Sequence, residues 1–207
     1  MRKNILLQRI LAVAAVGFLV TSSHAQSSKQ NVRVDVDDVQ FEDLESPEFG
    51  GNTGEKNFRP KSWLEAEVKL KVETGRGFDK KFVESLTVKW KVAVKNPDGG
   101  GVFLIEKDVE YINVPVNEDV FASVYLSPGA ILRITGSDRA AGGIMEAVAG
   151  EVVYNGATVG DFNNKGGEWW TAKSVSKNSS IPLLAKSETP FKFLWWDRYL
   201  EEKPPRR

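Results

Sequence analysis

Cysteine is absent from the 207-residue chain, and histidine occurs once, at His24. No stretch has the length of a membrane-spanning helix: the longest apolar run, Ile10 to Val20, is too short to cross a bilayer. That run follows Arg2, Lys3 and Arg9 and ends at Ser23-His24-Ala25, the pattern of an export leader cleaved before Gln26. Cleavage would remove the sole imidazole. The exported chain, residues 26–207, then holds neither thiol nor imidazole. This excludes a Ser-His-Asp triad, a Cys nucleophile, a His general base and the usual zinc, iron and copper sites. No metal or other cofactor is expected. Loss of Arg2, Lys3 and Arg9 leaves 25 basic against 28 acidic residues, a net −3 with no basic block, which does not suit nucleic acid. No Cys follows the apolar run to carry a lipid, and no prepilin-type helix motif stands there. Residues 26–207 are expected to be soluble, without a transmembrane span, in the periplasm, on the outer membrane surface or outside the cell.

What the chain has instead is period-two alternation. NVRVDVDDV sets Val32, Val34 and Val36 against Arg33, Asp35 and Asp37. SWLEAEVKLKVE sets Leu64, Ala66, Val68, Leu70 and Val72 against Glu65, Glu67, Lys69 and Lys71. SLTVKWKVAVK turns Leu86, Val88, Trp90, Val92 and Val94 inward. Such segments are antiparallel strands with one apolar and one wet face. Turn signals separate them: NPDGGG at 96–101, and Asn155-Gly156, the signature of a two-residue type I′ hairpin. Ser127-Pro128-Gly129 is expected to turn into a strand at AILRIT, and PFKFLWWDRYL to form the last strand. Three glycines argue against a stable helix between Asp138 and Gly150. Residues 46–62 are a long polar loop. About eight to ten short strands of this kind predict an all-β, two-sheet antiparallel β-sandwich, with a closed β-barrel as the alternative. The expected organisation is a leader at 1–25, one sandwich domain at 26–200 and a flexible tail at 201–207.

Four of the six tryptophans sit in doublets, Trp169-Trp170 and Trp195-Trp196. On a strand one member of each doublet faces away from the core. Phe191, Phe193 and Trp195 are assigned to the core, and Lys192, Leu194, Trp196 and Arg198 to the opposite face. Leu194 and the stems of Lys192 and Arg198 can cover Trp196 without any ligand. Exposed, the same indole would serve as a sugar platform or a protein anchor. Trp169-Trp170 follows a glycine-rich loop and is the better contact candidate. The contact set is therefore Trp169, Trp170, Trp196 and Arg198, with no catalytic residue. The acidic stretch from Asp35 to Glu48 lacks the spacing of a calcium loop and reads as a solvated edge. Paired carboxylates can cleave a glycosidic bond without histidine, but 28 acids nominate no pair.

The order RPKSWLEAEVKLKV, SLTVKWKVAVK, YNGATVGDF and PFKFLWWDRYL resembles a family of exported, Akkermansia-like proteins of Verrucomicrobia encoded beside type IV pilus-like genes. The resemblance implies an immunoglobulin-like β-sandwich at the cell envelope, acting in pilus assembly, adhesion or host interaction through contacts with other envelope or pilus proteins or with itself. It supplies no catalytic residues. The alternative is a glycan-binding module that uses exposed tryptophans.

Overall fold

A computed structural model describes residues 32–48, 50 and 59–204. The leader and most of the long polar loop at 46–62 lie outside those residues. The strands are β1 (Val32–Val36), β2 (Gln40–Glu45), β3 (Ser62–Thr74), β4 (Phe82–Lys95), β5 (Val102–Pro115) and β6 (Asp119–Leu126). After helix α1 (Pro128–Thr135) come β7 (Met145–Tyr154), β8 (Ala157–Asn163), β9 (Val175–Lys177), β10 (Leu184–Ala185) and β11 (Glu201–Glu202). One sheet runs β1-β3-β6-β10, with β2 also on β3; the other runs β11-β5-β4-β7-β8, with β9 parallel to β5.

The alternation sets the layers. Leu64, Ala66, Val68, Leu70 and Val72 of β3 are fully buried, as are Leu86, Val88, Trp90, Val92 and Val94 of β4. These two inner faces make one core, and the chain is the expected two-sheet β-sandwich. Each buried Val or Leu among them contributes about 1.5–3 kcal/mol of burial. Trp90 packs edge-on against Phe162 with ring centroids 4.9 Å apart. Gly150 makes that contact possible, because a Cβ there would lie 2.3 Å from the Phe162 ring. On the far side Gly160 lets β8 approach β1, where a Cβ would meet the Val34 carbonyl at 2.4 Å. The β7–β8 hairpin turns at Asn155 and Gly156, with φ of 47° and 80°, both left-handed as a type I′ turn requires.

Three local expectations differ from the structure. AILRIT belongs to α1, not to a strand. Ser127 Oγ accepts from the Ala130 amide at 3.2 Å, Pro128 opens the helix, and Gly136 at φ 72° closes it. PFKFLWWDRYL is not a strand either. Thr189 Oγ accepts from the Phe191 amide at 3.1 Å and starts a 3-10 turn over Pro190–Phe193. Trp195 then enters the left-handed region at φ 52°, and the Arg198 amide bonds to the Trp195 carbonyl at 3.0 Å. Lastly, residues 201–203 are not a free tail. Glu201 and Glu202 pair with Ile112 and Tyr111 as β11, and the Lys203 amide donates to the Glu110 carbonyl at 2.8 Å.

Candidate functional site

The segment from Lys186 to Leu200 lies across the outer face of the β1-containing sheet, and the residues beneath it explain why. On β3, Glu65 and Glu67 point away from the main core, directly opposite Tyr125 and Ser123 of β6. Alternation makes this a wet face, yet Glu65 is only 1% exposed and Glu67 4%. Buried carboxylates need partners, and the segment supplies them. Tyr199 donates its hydroxyl to Glu67 Oε2 at 2.5 Å, and Arg198 Nη2 donates to Glu67 Oε1 at 2.5 Å. Tyr125 donates to Glu65 Oε1 and accepts from Ser123 Oγ at 3.0 Å. The Tyr199 oxygen also lies 3.0 Å from Glu65 Oε1. One phenolic proton already serves Glu67, so this last contact is completed when Glu65 carries a proton. Burial moves Glu65 that way, raising its pKa above the usual carboxylate value, and the Glu67 charge adds to the rise. The Tyr125 and Tyr199 hydroxyls are likewise pushed up, first by burial and then by the neighbouring Glu65 charge, and stay protonated.

An aromatic layer completes the clamp. Phe191 is 1% exposed and packs against Trp63 and Tyr125, each at a centroid distance of 5.6 Å. The Arg198 guanidinium stacks 3.6 Å above the Phe121 ring. A non-glycine residue in the left-handed region costs about 1–2 kcal/mol, and Trp195 accepts that cost. Burial of Phe191, on which the Trp195 ring stacks at 6.3 Å, is of the size needed to offset it.

The turn that the clamp holds presents its apolar side chains outward. Phe193 is 66% exposed, Trp195 48% and Trp196 63%, three large apolar side chains within four residues. Behind them runs a cleft of about 460 Å³ whose lining includes Lys186, Phe193, Trp196, Tyr199, Leu200 and Glu202. Lys186 is 7% exposed; its ammonium donates to the Leu194 carbonyl at 2.6 Å and lies 4.8 Å from the centre of the Tyr199 ring. Burial lowers its pKa.

The four expected contact residues separate into two places. Trp196 is exposed on the cleft wall, while Arg198, two residues on in the same segment, is spent on Glu67 and Phe121. Phe193 and Trp195 are not core residues, against the strand-based assignment, because the 3-10 turn and the left-handed Trp195 destroy the two-residue period. Trp169 and Trp170 sit over the other sheet and are half-buried, packed edge to face at 5.4 Å. The Trp169 indole donates to Asn163 Oδ1 at 3.2 Å, and Lys91 Nζ stands 5.1 Å from the Trp170 ring. That doublet is already occupied with its own neighbours. Glu65, Glu67, Tyr125, Tyr199 and Lys186 carried no signal in the sequence, since acids alternating along a strand normally face water. Glu65 and Glu67 do form a carboxylate pair, but a glycosidase needs an acid and a base open to sugar and water. Both are closed off by Tyr125, Tyr199 and Arg198. Among the described residues no three His, Cys, Asp or Glu side chains converge as a metal-ligand group, and no helix is long and apolar enough to cross a membrane.

Comparison with known proteins gave two findings. A family model matches residues 25–206. A crystal structure of a protein from Akkermansia muciniphila superposes with a TM-score of 0.79 at 35% sequence identity, covering 86% of this chain and 96% of that one. No match was found among curated proteins.

Proposed function

The chain belongs to the same family as that Akkermansia muciniphila protein, and from this premise we propose that it is a non-enzymatic protein of the cell envelope or surface that works by binding other proteins. The observation that carries the reading is the outward patch of Phe193, Trp195 and Trp196 on a segment held in place by a buried clamp. Large apolar side chains exposed side by side are costly in a monomer and typical of contact sites. A rigid backbone beneath them lowers the entropy lost on binding. The partners proposed are components of type IV pilus-like machinery or a second copy of the chain. The immunoglobulin-like character of the sandwich and the removal of residues 1–25 on export belong to the same proposal.

Sedimentation of the purified protein, together with its retention of pilus-like proteins from envelope extracts, tests it. W195A and F193A should each weaken association about tenfold or more, the loss expected for a contact anchor, while far-UV circular dichroism stays unchanged. Association that survives both substitutions would remove the patch from the reading.

A further inference from the structure

The cleft behind the patch has a chemistry of its own. We propose that it is a carbohydrate site, taking one or two pyranose rings between Phe193 and Trp196, with hydroxyls bound by Lys186 and Glu202. This goes beyond the protein-contact reading and does not depend on it, because Trp195 belongs to the patch but does not line the cleft.

Three features select this ligand class. The volume, about 460 Å³, falls in the range of small-molecule sites, about 300–1,000 Å³. The walls offer the exposed rings of Trp196 and Phe193, on which the C–H face of a sugar ring can pack, with Lys192 Nζ 4.6 Å from the centre of the Phe193 ring on one side. The polar lining is mixed in sign and partly unspent. Lys186 has three N–H donors and uses one, on Leu194, with no second hydrogen bond among the described residues. Glu202 receives only the long Ser187 amide contacts, 3.3 and 3.2 Å to its two oxygens. Glu188, in contrast, is fully engaged by Lys107 at 2.6 Å and the Ala185 amide at 2.8 Å.

A neighbouring donor and acceptor with free capacity match vicinal hydroxyls, which both give and accept hydrogen bonds. An apolar carboxylate would gain from Lys186 but meet the charge of Glu202, which already acts on Lys186. A peptide strand would need a longer open edge to pair with, and β11 at the cleft's edge offers only two residues. A neutral ring with a polar rim is the ligand left.

Titration of the purified protein with the methyl glycosides of glucose, galactose and N-acetylglucosamine, read by tryptophan fluorescence, tests this, with hexanoate and an uncharged extended peptide as rivals. A saturable change is expected with at least one glycoside and with neither rival. K186M should weaken that binding about tenfold or more, since hydrogen bonds to charged groups carry that much. W195A should leave it intact even where it abolishes protein association, which separates the two readings. Should K186M lose its near-UV dichroism, E202Q serves in its place. A flat response to all glycosides, a response to either rival alone, or glycoside binding untouched by K186M or by E202Q would overturn the site.

Discussion

At the scale of single residues, the decisive feature is a pair of carboxylates placed where water should be. Glu65 and Glu67 occupy strand positions that alternation assigns to solvent, and nothing local marks them as buried. Their burial is a property of residues more than 130 positions away, Arg198 and Tyr199. The proton balance of Glu65 has a measurable consequence. Its folded-state pKa lies above its unfolded value, so the stability tied to its protonated form is complete below the ordinary carboxylate pKa of 4.5 and falls as pH rises through the folded value. Glutamine at this position keeps an acceptor for Tyr125 and carries no charge to be buried. In urea melts from about pH 4 to pH 8, E65Q should therefore gain stability relative to the native protein as pH rises. A difference that does not change across that window would show that Glu65 does not titrate there.

At the scale of elements, the long strands were legible and the short turns were not, for one physical reason. A strand of 13 or 14 residues such as β3 or β4 repeats its two-residue period six times or more, and a buried face cannot tolerate a slip in register. Asn155-Gly156 was equally legible, because few other dipeptides satisfy two consecutive positive φ values. Helix α1 spans eight residues, little more than two turns, and AILRIT matches a strand pattern over that length. Its capping signals outweighed the pattern: Ser127 before Pro128, and Gly136 after Thr135. Burial of Ala130, Ile131 and Ile134 then holds the helix against the core. Removing the cap in S127A should cost about 1 kcal/mol in a urea melt. An unchanged midpoint would mean that packing alone sets the helix start. The C-terminal stretch misled for the opposite reason. Its apolar residues fall at alternate positions by composition, while Pro190 and the left-handed Trp195 set a three-residue turn.

At the scale of the whole molecule, the C-terminal segment is a strap joining the two sheets. It leaves β10 on the edge of one sheet, crosses the Glu65–Glu67 face, bonds the Leu200 amide to the Phe121 carbonyl at 2.9 Å and ends as β11 on the other sheet. Both the aromatic patch and the cleft are built on this strap, so its anchorage governs any binding there. Two anchors share the load. One is the buried clamp at Arg198 and Tyr199. The other is β11, reinforced by Asn113 donating to Glu201 at 2.9 Å and Lys203 paired with Glu110 at 2.6 Å. The exposed ion pair adds little by itself, whereas the two-residue ladder closes the strap as a loop. Ending the chain after Leu200 removes the second anchor and leaves the first. Native-state hydrogen exchange should then speed up at Leu200 and across the strap, while amides in the centres of β3 and β4 keep their protection, because the strap opens as a unit separate from the core. Protection unchanged at Leu200 would show that the clamp alone holds the strap. Faster exchange in β3 and β4 as well would show that strap and sandwich unfold as one.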